Sequence, residues 1–310
     1  MKTITIVGYR RPHYFQKLLA CLTKNELKNW RIYIQIDPSD KGDSMVQIAH
    51  EYLNNYDLDV TLNEERLGVK MNPYTLIDKV FKAGSTLNIH LEEDIEIAPD
   101  TTSLALWYEK QELSDVLCMN LVANGCFSAA SVISYEANHL DALIKTKLFN
   151  SIGLILTNRQ WEENIKHFWL THDFSLYNYE GVEASGWDIS LYAKLLSSQN
   201  LYSLSPLTPR ASHIGKDDGE YCTQEFHDKA WGYIKLPERN LGHLNYRIID
   251  KSELGNFSLI SLLNSWDEIH RSLKTIEKQA VIIHNQALML NNPFRYLYRA
   301  FRKLKETIYR

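Results

Sequence analysis

An alternation of two residue patterns is the strongest limit on what this chain can fold into. Short apolar runs rich in β-branched residues trade places with amphipathic stretches across the first 110 residues. Thr3–Val7 reads as a strand and His13–Lys24 as a helix, followed by the strand Arg31–Ile36 and the helix Asp43–Asn55. Asp59–Leu62 continues the series as a short strand, Asn72–Ala83 as a helix, Thr86–Leu91 as a strand and Asp100–Gln111 as a helix. Strands separated by helices need crossover connections, so they run parallel and both of their faces are covered. The predicted class is α/β, with a mostly parallel central sheet flanked by helices.

The last strand of the series runs directly into Glu92, Glu93 and Asp94. Those carboxylates therefore sit at the C-terminal edge of the sheet, where open α/β sheets bind ligands. Hard oxygen donors in that place suit Mg²⁺ or Mn²⁺, and such ions commonly hold the phosphates of a nucleotide. A solvated turn, or acids gathered at the entry to a helix, would produce the same triplet. The flanking residues have to distinguish these readings.

With 310 residues the chain is long enough for one large α/β domain and an appendage. Its net charge of −4 supplies no basic field for nucleic acid. The four cysteines (Cys21, Cys118, Cys126, Cys222) lack CxxC spacing, which argues against zinc and for free thiols in a reducing compartment. Thr3–Val7 begins too close to Met1 for a cleavable leader, and no apolar run reaches the length of a membrane span. The expected location is cytoplasmic. No nucleophile elbow, Walker loop or GxGxxG pattern appears.

The second half is more mixed. Val116–Val122 reads as a strand and Asn124–Ser131 as a loop. Leu148–Leu156 leads into the helix Arg159–Trp169, with Asn158 as candidate N-cap. Thr171–Ser185 reads as an acceptor-side loop, Asp188–Leu196 as a helix, and 209–228 as a flexible loop near the site. These residues divide the chain into 1–257, comprising a nucleotide-binding half (1–110) and an acceptor-side half (111–257), and a helical extension, 258–310. Ser258–Leu290 is long and helical in pattern. In Phe294–Arg310, Phe294, Leu297, Tyr298, Phe301, Leu304 and Ile308 recur at helical spacing, and six basic residues face one Glu306. That is an amphipathic basic helix, suited to an anionic membrane surface or to docking on another protein.

Leu91-Glu92-Glu93-Asp94-Ile95-Glu96-Ile97-Ala98-Pro99-Asp100 resembles the "EDD-(L/I)-E-(V/I)-A-P-D" segment of the N-acetylglucosaminyltransferase I family. Other segments follow in that family's order. Tyr9-Arg10-Arg11-Pro12 follows the first strand, and Ile36-Asp37 ends the second. Ser151–Thr157 is similar to the family's "GLGW-(L/M)-L-(T/L)" stretch and is followed by Trp161; Gly186-Trp187-Asp188 is similar to its "F-W-D-D-W" segment. Pro209–Gly215 with Gly219 is similar to its late "S-R-T-x-x-F-G…G" loop. The similarity covers roughly residues 3–236. Glu93 stands where the family has Asp, Ile189 replaces the second Asp of the "WDDW" segment, and 151–157 lacks the Trp. A related bacterial-type branch of the same fold remains an alternative to close kinship.

The resemblance implies a GT-A-fold, inverting glycosyltransferase using UDP-N-acetylglucosamine and Mn²⁺ or Mg²⁺. It makes Asp94 the direct metal ligand and places Glu92 and Glu93 on ribose and donor sugar. Inversion needs a carboxylate within reach of the acceptor hydroxyl; Asp188 is the first candidate, with Glu183 and Asp173 behind it. Arg11 and Asp37, at the ends of the first two strands, are candidates for uracil and ribose, and Asn72 and Arg66 for lining the nucleotide site. The residues alone add His213 as a second metal ligand and Lys216 as a cation against the diphosphate; Gly215 and Gly219 would let their loop close. Trp187, Trp161 and Trp169 are each either sugar-stacking or core residues, and His90 reads as structural. The expected partners are a UDP-sugar donor and a glycan or lipid-linked saccharide acceptor, with peripheral membrane contact through 294–310. The rivals are a nucleotidyltransferase of related fold, a non-catalytic carbohydrate-binding scaffold and a metal-dependent hydrolase. The loop after the first strand lacks the Gly richness of nucleotidyltransferases.

Overall fold

In the computed structural model, β1 (Lys2–Gly8), β2 (Trp30–Ile36), β3 (Asp57–Leu62) and β4 (Leu87–Glu92) are joined by α1 (Pro12–Leu22), α2 (Gly42–Leu53) and α3 (Gly68–Lys82). The structure describes residues 1–122, 140–171, 178–179, 182–183, 187–217, 222–232, 234–237 and 244–250. The chain divides into two units, Met1–Ile260 and Ser261–Arg310, and every described residue lies in the first. The sequence assignments to Asn124–Ser131, Ser258–Leu290 and 294–310, together with Asp173 and Gly219, fall outside the described residues.

The alternation produces the expected parallel pairing of β1 with β2, β2 with β3 and β1 with β4. β1 and β4 are buried on both faces, whereas β3, at the sheet edge, is only half-buried. α1 buries Tyr14, Phe15, Leu18, Leu19 and Leu22, one stripe at helical spacing, and Pro12 in its first turn costs no hydrogen bond. α3 starts four residues earlier than the pattern around Pro73 suggests. The Asp37 carboxylate accepts hydrogen bonds from the N–H groups of Leu67 (3.1 Å) and Gly68 (2.7 Å), which supports an extra turn ahead of the proline.

Beyond the acids come β5 (Ile95–Ile97), α4 (Thr101–Glu109), β6 (Val116–Asn120), β7 (Ala142–Thr146) and β8 (Leu154–Thr157). A helical stretch follows as α5 (Asn158–Gln160), a π-helical turn (Trp161–Ile165) and α6 (Lys166–Thr171). Its N-cap is Thr157 rather than Asn158. Thr157 and Gln160 form a reciprocal capping box, which a cap one residue later would forfeit. β9 (Asn178–Tyr179) and β10 (Val182–Glu183) form a small antiparallel pair. Then come α7 (Trp187–Ser197), β11 (Tyr202–Pro206), β12 (Ala211–His213), α8 (Gln224–Ala230) and β13 (Arg247–Ile248).

Among the described residues the main sheet has nine strands in the order β13-β7-β11-β6-β8-β4-β1-β2-β3. β8 runs antiparallel between β4 and β6, and β7 runs antiparallel to β11, so the second half of the sheet is mixed. The chain proceeds from β1 outward through β2 and β3, then returns to place β4 on the other side of β1. That reversal opens a crevice at the C-terminal ends of β1 and β4. Trp161, Trp169 and Trp187 are buried in an aromatic cluster beside α7. Trp169 and Trp187 stack 4.2 Å apart, so Trp187 belongs to the core and has no face left for a sugar. Among the described residues no helix is long and apolar enough to cross a membrane.

Candidate active site

The crevice at this reversal holds a pocket of about 160 Å³ whose lining includes Arg11, Glu92, Glu93, Asp94 and His213. The acids arrive on the end of β4, and Arg11 arrives on the turn between β1 and α1. His213 comes from more than a hundred residues further along. The short pairing of β12 with β5 sets it opposite Ile95, and Ile214 N–H donates to the Asp94 carbonyl at 2.8 Å. His213 Nε2 then lies 3.1 Å from Asp94 Oδ2. The expected flexible loop over 209–228 is thus corrected: 211–213 is a strand and 224–230 a helix. Buried Arg210 anchors the approach to this strand. Its Nε donates to Asp100 Oδ2 at 2.8 Å, and Tyr246 Oη donates to the same oxygen at 2.8 Å.

Arg11 Nε donates to Glu93 Oε1 at 2.8 Å, and its Nη2 forms ion pairs with Glu93 Oε1 at 2.7 Å and with Asp94 Oδ2 at 2.8 Å. Burial opposes ionisation of Asp94, but His213 and Arg11 outweigh it and hold its carboxyl below the usual range. Glu93 moves the other way, because burial and the neighbouring Asp94 exceed the effect of Arg11. Glu92 is pushed well up by burial, Asp94, Glu93 and Asp188. The last influence places Asp188, in the first turn of α7, within electrostatic reach of the acid cluster. Arg11, a candidate for uracil and ribose, is therefore seated on Glu93 and Asp94.

Gly215 packs against the cluster so tightly that a Cβ there would overlap Asp94 Oδ2 and come within 3.0 Å of the Arg11 guanidinium. Its absent side chain allows close approach, which differs from the expected hinge role. Tyr14 ties down the following residues: its hydroxyl donates to Asp217 Oδ2 at 2.9 Å and accepts from the N–H groups of Lys216 and Asp217, each at 3.3 Å. Lys216 is exposed and is not among the residues lining the pocket, so the cation expected against the diphosphate stands outside it. Asp37 and Asn72 do line it, and both are engaged. Asp37 also accepts from Asn63 Nδ2 at 2.8 Å, and Asn72 Oδ1 accepts from Gln35 Nε2 at 2.8 Å. Arg66 lies over the Tyr9 ring at 4.3 Å, at the same pocket. Glu183 falls in β10, in a small pair apart from the main sheet.

Sequence reading missed His227, whose Nε2 lies 2.8 Å from the His213 carbonyl oxygen and braces that strand from α8. It also missed Cys222, whose thiol lines the pocket and is pushed up to about 11 by burial and by Asp94. Neither carries a spacing signal: His227 meets the site through β12, and Cys222 reaches the pocket from a segment far along the chain from the acids. His90 is structural as read: it is fully buried, 3.1 Å from the Thr5 hydroxyl, with its pKa pushed down to about 3 by burial.

The donor set fits a divalent ion. Asp94 Oδ1 and His213 Nδ1 are buried without a hydrogen-bond partner. The Asp94 carboxylate suits Mn²⁺ or Mg²⁺ in a site completed by water and phosphate oxygens, and the His213 imidazole favours a transition ion such as Mn²⁺ over Mg²⁺. Among the described residues no three His, Cys, Asp or Glu side chains form a ready-made metal cage.

No protein-family model matches this chain, and no curated protein sequence matches it. Solved structures with a similar backbone include GlyE of Streptococcus pneumoniae TIGR4, a glycosyltransferase, at 16% identity over 77% of this chain and 66% of that one, with a TM-score of 0.44. S. aureus TarS 1–349, also solved with UDP-GlcNAc, gives 16% identity over 66% of this chain and 60% of that one, with a TM-score of 0.42. The mannosyltransferase PcManGT of Pyrobaculum calidifontis, solved with GDP-Man and Mn²⁺, gives 13% identity over 67% and 57%, with a TM-score of 0.43. The chain thus spans about 60% of the TarS fragment. Likeness at this level assigns it neither a family nor a substrate.

Proposed function

We propose that this chain is a GT-A-type glycosyltransferase that moves a sugar, N-acetylglucosamine by the motif resemblance, from a UDP-sugar to a hydroxyl of a glycan or lipid-linked saccharide, with inversion. The reading rests on the convergence of Asp94 and His213, 3.1 Å apart at the reversal of strand order. A divalent ion held by these two residues would neutralise the leaving diphosphate. Glu92 and Glu93 face the donor's ribose and sugar. Asp188 approaches the same cluster from the acceptor half and takes the proton of the attacking hydroxyl at its carboxylate. The acceptor oxygen then attacks the anomeric carbon from the face opposite the diphosphate. The new glycosidic C–O bond forms as the bond to the phosphate oxygen breaks, which inverts the anomeric centre. The basic amphipathic pattern of 294–310 supports either contact with anionic lipid, where lipid-linked acceptors reside, or docking on another protein. Sedimentation with anionic liposomes tests the lipid contact: equal binding by the full chain and by residues 1–292 would remove it.

Calorimetric titration of UDP, with and without Mn²⁺, tests the central reading. Wild type is expected to bind UDP with Mn²⁺ present, and Asp94→Ala to lose that binding. Metal-independent UDP binding, or none, would dismiss the metal-dependent mechanism. Glycan binding without nucleotide binding would favour a non-catalytic carbohydrate-binding protein.

A further inference from the structure

Arg11 is oddly placed for a residue that only recognises a nucleotide. It occupies the N-cap position of α1, yet its side chain makes no cap. It turns instead into the cluster, where its side chain is 15% exposed against 7% for Glu93 and 2% for Asp94. Glu92, Glu93 and Asp94 bring three carboxyl groups into this small volume, and Arg11 is the guanidinium ion-paired with two of them. One of those ion pairs falls on Asp94, the residue whose other oxygen is buried without a partner. Gly215 closes over the Asp94–Arg11 contact. The pocket, at about 160 Å³, is smaller than the roughly 300–1,000 Å³ of sites that enclose a small molecule. Arg11 is one of the residues lining it.

A dication and a guanidinium on one buried carboxylate repel each other strongly, because little water screens them. A nucleoside diphosphate entering the same pocket brings the negative charge that a released guanidinium would seek, and Arg is well shaped to grip phosphate oxygens.

We propose that Arg11 is an exchangeable internal counter-cation: it neutralises Glu93 and Asp94 in the free site, yields Asp94 to the divalent ion, and moves to the diphosphate of the incoming donor. This rests on the metal-dependent donor reading and deepens it. Metal and diphosphate then bind as a linked pair. The ion frees the arginine that the diphosphate needs, and the diphosphate draws away the arginine that opposes the ion. Loss of Arg11 should therefore help one ligand and harm the other. A residue that merely supported the fold would harm both.

The test measures binding of Mn²⁺ alone to the full chain, from the paramagnetic resonance signal of the free ion, and then binding of UDP at saturating Mn²⁺. Arg11→Gln is expected to bind Mn²⁺ roughly tenfold or more tightly than wild type, reflecting loss of a competing buried ion pair. It is expected to bind UDP weaker by a similar factor. Arg11→Lys keeps the competing charge, so its Mn²⁺ affinity should stay close to that of wild type, while UDP binding falls through loss of the planar fork. If Arg11→Gln fails to fold, Arg11→Lys carries the test through this split. Mn²⁺ binding by wild type that Arg11→Gln weakens or leaves unchanged would overturn the exchange while sparing the metal site. Absence of Mn²⁺ binding by wild type, with or without UDP, would remove the metal reading and the exchange with it.

Discussion

Strands β1 to β4 pair with one another through helical crossovers, each strand following its neighbour by one βα unit or by the single return of β4 to β1. Strands β6 to β13 behave differently. β6 lies between β8 and β11, β7 pairs with β11 and β13, and β12 leaves the main sheet to pair with β5. The first half is thus built from local, repeated units, and the second from pairings between distant segments. The site divides along the same line. The first half supplies a cluster of acids that would repel one another. The second half brings His213, Gly215 and Asp188 to that cluster, and the joint between the halves is where the chemistry is set.

Breaking the joint should cost most. Arg210 and Asp100 form a fully buried ion pair across it. Removing one partner of such a pair leaves a charge stranded in the interior. Arg210→Met is expected to lower unfolding free energy by about 3–5 kcal/mol in a denaturant titration. Converting both residues together, Arg210→Met with Asp100→Leu, should recover much of that loss; no recovery would mean that the pair is not the source of the cost.

Two glycines sharpen the contrast. A Cβ at Gly215 would strike Asp94 Oδ2, which is pinned by Arg11 and His213. At Gly8, at the end of β1, a Cβ would overlap the terminal methyl of Met45, at 2.7 Å, and would meet Glu93 Cβ and Ile36 Cγ1 at ordinary contact distances of 3.7 and 3.9 Å. That methyl can swing aside. Gly215→Ala should therefore abolish Mn²⁺-dependent UDP binding and cost roughly 1–3 kcal/mol of stability through overpacking. Gly8→Ala should keep binding and cost on the order of 1 kcal/mol of stability. Equal effects would mean that the close contact at Gly215 has no functional weight.

The smallest effect lies within the packing of the first half against the aromatic cluster. Asp78 of α3 accepts a hydrogen bond from Trp161 and pairs with Lys82 and Lys166. Burial opposes its charge, but these three partners prevail and lower its pKa from 3.8. A carboxyl lowered on folding contributes stability that is complete above its unfolded pKa and is lost as pH falls through the folded value. Asp78→Asn should accordingly cost on the order of 1 kcal/mol near neutral pH. Thermal midpoints should then show a gap between variant and wild type that narrows as pH drops below 3.8. A gap constant with pH would place the effect in packing instead.

Much of the first half could be read from the chain, because hydrophobic periodicity reports local structure. The helix Asp43–Asn55 is found at Gly42–Leu53, and the strand Thr86–Leu91 at Leu87–Glu92. The start of α3 was hidden because its cap, Asp37, comes from another element. β7, β12 and α8 were also missed. β12 has three residues and gains its order from β5, and α8 is a seven-residue helix with too few turns to display a period.

The sequence by itself determined the α/β class, the mostly parallel character of the sheet and the placement of Glu92, Glu93 and Asp94 at the C-terminal edge of the sheet. These follow from residue periodicity and from the direction of a strand, which are properties of contiguous residues. Tertiary structure alone decided that His213 meets Asp94, that Arg11 neutralises the acids, that Trp187 is core and that Gly215 must lack a side chain. Each depends on a distance between segments far apart in the chain. Such distances are set by how β5 and β12 pair and how the two halves of the sheet close on each other, and periodicity along one segment carries no information about either.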